Sequence, residues 1–211
     1  MKCIIAANGS LTPTKKILSL INSGDLVIAA DGGAAHLHRL NIIPDMIIGD
    51  LDSISSTTLD FYKSKQVPMI THPARKDQTD TELCIDHALD KGCKELVFLG
   101  VTGHRLDHTL ANVFLLRRLA DINVKARIID NHNEIYLVLS NLVVHGAPGD
   151  LLSVIPVSEK VTGLTLQGLE YPLTDKTLTM GTALGISNCF TGTQASIHID
   201  SGVILVIKSR E

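Results

Sequence analysis

Helical periodicity stops near residue 131, and this break limits the chain more than any other feature. Up to Asn131 a single arrangement recurs: a short apolar run, a polar turn with glycine or aspartate, then a stretch with apolar residues at helical spacing. The runs are 3–7, 26–30, 46–48, 67–71, 95–99 and 124–129. From Glu134 on, only short β-rich runs alternate with Gly, Pro, Asn and Asp, at 135–139, 142–145, 151–155, 162–166, 178–180, 186–188, 195–199 and 203–207. The first pattern predicts a mostly parallel, doubly wound α/β sheet, because apolar strands alternating with helices bury both faces of the sheet. The second predicts an all-β sandwich or open barrel. The expected division is residues 1–131 and 132–211.

Composition excludes several classes. Of 211 residues, 45% are hydrophobic and 19% charged, so the chain can build a core. A net charge of -3 leaves no basic footprint for nucleic acid. No apolar run reaches the roughly 20 residues of a membrane span. The opening MKCIIAANGS reads as a first strand and is too short for a secretory signal. Cys3, Cys84, Cys93 and Cys189 form no CxxC pair or zinc spacing, which suits a reduced, cytoplasmic setting.

The turns carry the chemistry. Met46-Ile47-Ile48 ends at Gly49, and Asp50 and Asp52 follow at alternate positions. Alternate residues of extended chain point the same way, so both carboxylates can converge on one hard cation at the carboxyl edge of the sheet. Asp31-Gly32-Gly33 ends the second run, where backbone N–H groups could meet a ligand. Asn8-Gly9 offers the same after the first. Thr79-Asp80-Thr81-Glu82 is a capping box, with Asp80 in the first helical turn. Arg75 and Lys76 on the same loop could face phosphates. Arg105 lies between a glycine turn and a helix start where a guanidinium can grip phosphate oxygens, and Asp107 is the expected N-cap of a helix burying Leu110, Val113, Phe114 and Leu116. Three carboxylates (Asp50, Asp52, Asp80), glycines and two or three cations at one edge suit Mg²⁺ and polyphosphate.

The ordered set DGGA (31–34), GDLDS (49–53), KDQTDTE (76–82), GHRLDHTLAN (103–112) and SN (187–188) resembles the thiamine pyrophosphokinases over nearly the whole chain. The resemblance implies an ATP-binding α/β domain and a thiamine-binding β-sandwich. It implies transfer of a pyrophosphoryl group from ATP to the thiamine hydroxyl, with AMP leaving, in a homodimer whose sites lie between subunits. Carried over, Asp50, Asp52 and Asp80 would hold Mg²⁺, and Lys76, Thr79, Arg105 and Asp107 would line the ATP and transfer site. Asp31 would lie near the thiamine hydroxyl or pyrimidine. Ser187 and Asn188 would contact the pyrimidine, and Phe190 would supply a stacking surface. Asp31 and Asp107 are the candidate bases. Ala35, His104 and Cys189 depart from the residues common in that family. One rival is a haloacid-dehalogenase-type phosphatase, but Ile54 stands where that class wants Thr or Val, and the DxD follows the third strand instead of the first. Another is a non-catalytic nucleotide sensor.

Overall fold

The structure, a computed structural model, describes residues 1–73 and 77–210, so Arg75 and Lys76 lie outside the described residues. The chain divides into two compact units, Met1–Asn131 and His132–Glu211.

The first unit runs β1 (Lys2–Ala6), α1 (Lys15–Ser19), β2 (Leu26–Ala30), α2 (Gly33–Arg39), β3 (Met46–Gly49), α3 (Ser56–Ser64), β4 (Met69–Thr71), α4 (Asp80–Asp90), β5 (Glu95–Leu99), α5 (Leu106–Asp121) and β6 (Lys125–Ile129). Its strands pair in parallel in the order β6-β5-β1-β2-β3-β4. They are apolar almost throughout because both faces are covered. Ile4, Ala6, Val27, Ala29, Ile47, Val97 and Leu99 share one core with Leu37 of α2 and Tyr62 of α3. The alternate residues Ile5, Ile28, Ile48, Leu96 and Phe98 are also buried, and α4 packs across β1–β3. The Tyr62 hydroxyl, fully buried, lies 3.0 Å from the Ile42 carbonyl and 3.2 Å from that of Ala34, and burial pushes its pKa up to about 12.

The helix starts follow local chemistry, with two corrections. The capping box forms: the Thr79 hydroxyl accepts from Glu82 N–H at 3.3 Å, and the Glu82 carboxylate accepts from Thr79 N–H at 2.9 Å. Arg105, not Asp107, occupies the cap of α5, so Asp107 sits in the first turn, where a carboxylate also suits the helix dipole. On α5, Val113, Leu116 and Leu119 are buried, but Leu106, Leu110 and Phe114 are exposed. The helix carries two apolar stripes, and within the described residues of this chain only one has a partner.

The second unit contains β7 (Asn133–Val138), β8 (Asn141–His145), β9 (Leu151–Pro156), β10 (Lys160–Gln167), β11 (Leu173–Thr179), β12 (Asn188–Cys189), β13 (Gln194–His198) and β14 (Ile204–Ser209). Its antiparallel orders are β12-β9-β14-β7 and β11-β10-β13-β8. Val138, Leu152, Val154, Ile204 and Val206 of one sheet pack with Leu164, Leu166, Ala195 and Ile197 of the other. This is the sandwich that alternating inward side chains build.

Candidate active site

The connections place the site before any side chain is considered. From β1 the chain winds outward through β2, β3 and β4, then returns to place β5 on the other side of β1. At such a reversal the loops after the two central strands diverge and leave a crevice at the carboxyl edge. A cavity of about 540 Å³ lies there. Asn8 and Gly9 after β1, Asp31 after β2, Asp50 and Ser53 after β3, Thr79 and Asp80 at the start of α4, and Gly100–Arg105 after β5 all line it.

Asp31, Asp50 and Asp52 each offer an oxygen within 4.8 Å of the others'. Two backbone features bring them together. Asp31 is held in the left-handed region at φ 45°, a conformation that costs a non-glycine residue about 1–3 kcal/mol and is kept only where the surroundings enforce it. Its N–H is bonded to the Ile48 carbonyl at 2.9 Å, which locks the end of β2 to β3. Gly49 then passes so close that a Cβ there would lie 2.8 Å from the Asp31 Cβ. Asp31 is 7% exposed, and its Oδ1 is buried with no hydrogen-bond partner among the described residues. Burial raises its pKa, and Asp50 and Asp80 add to the rise, against the Ser53 hydroxyl and the Gly32 N–H. The Ser53 hydroxyl also lies 3.0 Å from an Asp52 oxygen, and its single proton can serve only one of the two carboxylates. An orphaned buried oxygen among crowded carboxylates fits a hard divalent cation, which takes oxygen ligands and relieves the repulsion.

The other walls differ in how far they follow expectation. Thr79 and Asp80 line the cavity, with Asp80 outside the close carboxylate trio. Arg105 lines it too, but its guanidinium grips Asp107 through two hydrogen bonds of 3.0 and 2.6 Å. That pairing holds the Asp107 carboxyl far below the usual carboxylate range. The N–H groups of Gly9 and Ser10 are not free for phosphate: Gly9 N–H donates to the Gly100 carbonyl and Ser10 N–H to that of Thr102, at 2.5 and 2.7 Å. Gly32 and Gly33 are buried, packed on Asn8 and on the Ala6 carbonyl, so they serve close packing.

In the second unit the SN motif turns inward. Asn188 is 3% exposed; its Oδ1 accepts from Tyr171 N–H at 2.9 Å and its Nδ2 donates to the Tyr171 carbonyl at 2.8 Å. Its carboxamide thus replaces a strand partner for Tyr171 and is not available to a ligand. Phe190 is 2% exposed and belongs to the sandwich core, so its ring has no face to offer for stacking. Ser187 is exposed, in the left-handed region at φ 56°, with its N–H on the Ser153 hydroxyl. The exposed aromatic here is Tyr171, 63% accessible.

Residues 17–128 match the family described as thiamin pyrophosphokinase, catalytic domain, and residues 140–204 match its vitamin B1 binding domain. The thiamine pyrophosphokinase of Bacillus subtilis (strain 168) is 32% identical, with all of both chains covered. The chain belongs to the thiamine pyrophosphokinase family. The crystal structure of the Bacillus subtilis thiamine pyrophosphokinase superposes with a TM-score of 0.92 at 30% identity over the whole of both chains. That of the thiamin pyrophosphokinase from Geobacillus thermodenitrificans gives 0.87 at 28% identity, covering 100% of this chain and 98% of that one.

Within this thiamine pyrophosphokinase fold, the structure gathers Asp31 with Asp50 and Asp52, whereas the sequence grouped Asp80 with them and set Asp31 apart. The strand ends explain the difference: β2 and β3 are hydrogen-bonded neighbours, while Asp80 arrives on the helix after β4. Tyr171 was missed. Its setting between Glu170 and Pro172, in a polar interruption of the β-rich half, was the available signal.

Proposed function

We propose that this chain transfers a pyrophosphoryl group from ATP to the hydroxyl of thiamine, with Mg²⁺ held by Asp31, Asp50 and Asp52 and with Asp80 beside them. The observation that carries the reading is the trio of carboxylates, of which Asp31 and Asp50 line the cavity at the carboxyl edge of the sheet, in a chain that matches both domains of the family. When bound, the cation neutralises polyphosphate charge, which is the main requirement of such transfers. The thiamine hydroxyl gives its proton to a base or to solvent as its oxygen bonds to the β-phosphorus, the bond from that phosphorus to the oxygen bridging to the α-phosphorus breaks, and AMP carries that oxygen away. Arg105 exchanges Asp107 for phosphate oxygens, since both are anionic partners for the same guanidinium. Until that exchange, the pairing with Arg105 makes Asp107 reluctant to take a proton, so of the two carboxylates considered as bases it is available only once ATP has drawn Arg105 away. Thr79, on the same wall, and Lys76, three residues before it in the sequence, complete the ATP-binding side.

For thiamine, Tyr171 replaces Phe190 as the aromatic face. Its ring is exposed while its backbone is clasped by Asn188, so a flat surface is presented on a fixed base. Ser187, exposed and next in sequence to Asn188, remains available. The exposed stripe Leu106, Leu110 and Phe114 on α5 supports a homodimer, since such a stripe is normally covered. None of the helices among the described residues is long and apolar enough to cross a membrane. Cys3, Cys84, Cys93 and Cys189 form no disulfide among the described residues, which agrees with a cytoplasmic setting.

Phosphorus NMR of the protein with ATP, Mg²⁺ and thiamine tests the reaction. AMP with thiamine diphosphate is expected. ADP with thiamine monophosphate would overturn the assignment to the β-phosphorus, and bound ATP without turnover would favour a sensor. The phosphatase alternative finds no support in the family.

A further inference from the structure

We infer that His36 is a positioning residue for the nucleotide, whose Nε2–H fixes the Gly9 carbonyl and with it the Asn8 lip of the cavity. His36 lies on α2, five residues after Asp31, and is 6% exposed. Its two ring nitrogens have different partners. Nδ1 meets the Arg39 guanidinium, and Nε2 lies 2.7 Å from the Gly9 carbonyl oxygen. A guanidinium only donates, so Nδ1 must accept. The ring proton is therefore on Nε2, aimed at a carbonyl that can only accept. Arg39 selects the tautomer and His36 uses it. Burial and the nearby Arg39 charge also lower the ring's pKa, against the pull of the Gly9 carbonyl, which keeps it neutral.

The Gly9 loop needs that anchor. Its N–H groups bind it sideways to the loop after β5, through Gly100 and Thr102. No side chain can brace it, because a Cβ on Gly9 would lie 2.3 Å from the Thr102 carbonyl oxygen, and one on Gly100 would lie 2.4 Å from that of Ala7. The imidazole fills the space behind both glycines, with its Cδ2 3.4 Å from where a Gly100 Cβ would stand. The exposed Asn8 rests against Gly32, whose own Cβ would come within 2.4 Å of the Asn8 Cγ. The Asn8 carboxamide is thus held between Gly32 below and a Gly9 peptide whose tilt is set by His36. The ring acts on the nucleotide through Gly9 and without touching it.

This rests on the reading that the cavity holds ATP. Two substitutions separate the ring's two nitrogens. His36→Gln places an amide N–H near the position of Nε2, while His36→Asn keeps an acceptor toward Arg39 and falls short of Gly9. Loss of one buried hydrogen bond corresponds to about a tenfold change, so His36→Asn should weaken ATP·Mg²⁺ binding by calorimetry and raise the ATP KM by about that factor. His36→Gln should stay within about twofold of the parent, and the thiamine KM should be unchanged in both. Equal losses in Gln and Asn, or ATP and thiamine constants rising together, would overturn the proposal. Should either variant fail to fold, long-range ¹H–¹⁵N spectra of the unaltered protein decide it. A neutral Nε2–H ring is expected, and an Nδ1–H ring would refute it. Absence of thiamine diphosphate formation by the parent protein would defeat the proposed reaction, while ATP binding by calorimetry and the tautomer would still score His36.

Discussion

The aspartates at 31, 50 and 52 and the run Asn188–Phe190 look alike on paper, each a polar motif beside an apolar strand. The fold treats them in opposite ways. In the first unit, strand ends bring Asp31 and Asp50 into a cavity, and the described residues leave Asp31 Oδ1 without a partner. In the second, Asn188 satisfies the backbone of Tyr171 and Phe190 fills the core. Polar groups left unsatisfied by the chain are the ones open to a ligand, whereas satisfied ones are already part of the fold. The same residue types can therefore mark a site or merely support one.

Three substitutions would sharpen or break this contrast. Phe190→Ala should destabilise the protein by about 3–5 kcal/mol, the cost of emptying a core aromatic site, read by urea unfolding. Unaltered stability with a raised thiamine KM would return Phe190 to the ligand surface. Asp50→Asn should lower turnover by about 100- to 1000-fold with its melting temperature unchanged or slightly higher, since it removes charge that the chain does not itself need. A protein that melts much lower would instead make Asp50 part of the scaffold. Tyr171→Ala should raise the thiamine KM by about fivefold, in keeping with one lost ring contact, and leave stability and the ATP KM alone. An equal rise for ATP would remove Tyr171 from the thiamine side.

The architecture was legible because apolar period and turn residues encode it locally. The capping box at Thr79, β5 at Glu95–Leu99 and the end of helical pattern near Asn131 can all be read from neighbouring residues. What escaped depended on pairing between distant segments. The closeness of Asp31 to Asp50 follows from β2 lying beside β3, and no spacing within 31–52 reveals it. The exposure of Leu110 and Phe114 depends on which side of α5 meets the sheet. The burial of Phe190 depends on Gly146, whose missing Cβ would stand 3.0 Å from that ring. His36 was invisible because its role lies in a contact with Gly9, 27 residues away.

Gly49 has no functional group, yet the close approach of the two strand ends leaves it no room for one more carbon. A methyl group there would push β2 and β3 apart at the point where their aspartates meet. The loss would mimic removal of a carboxylate while every charge stayed in place. A search for essential positions guided by reactive chemistry would pass over it, so in this chain a missing atom can matter as much as any that is present.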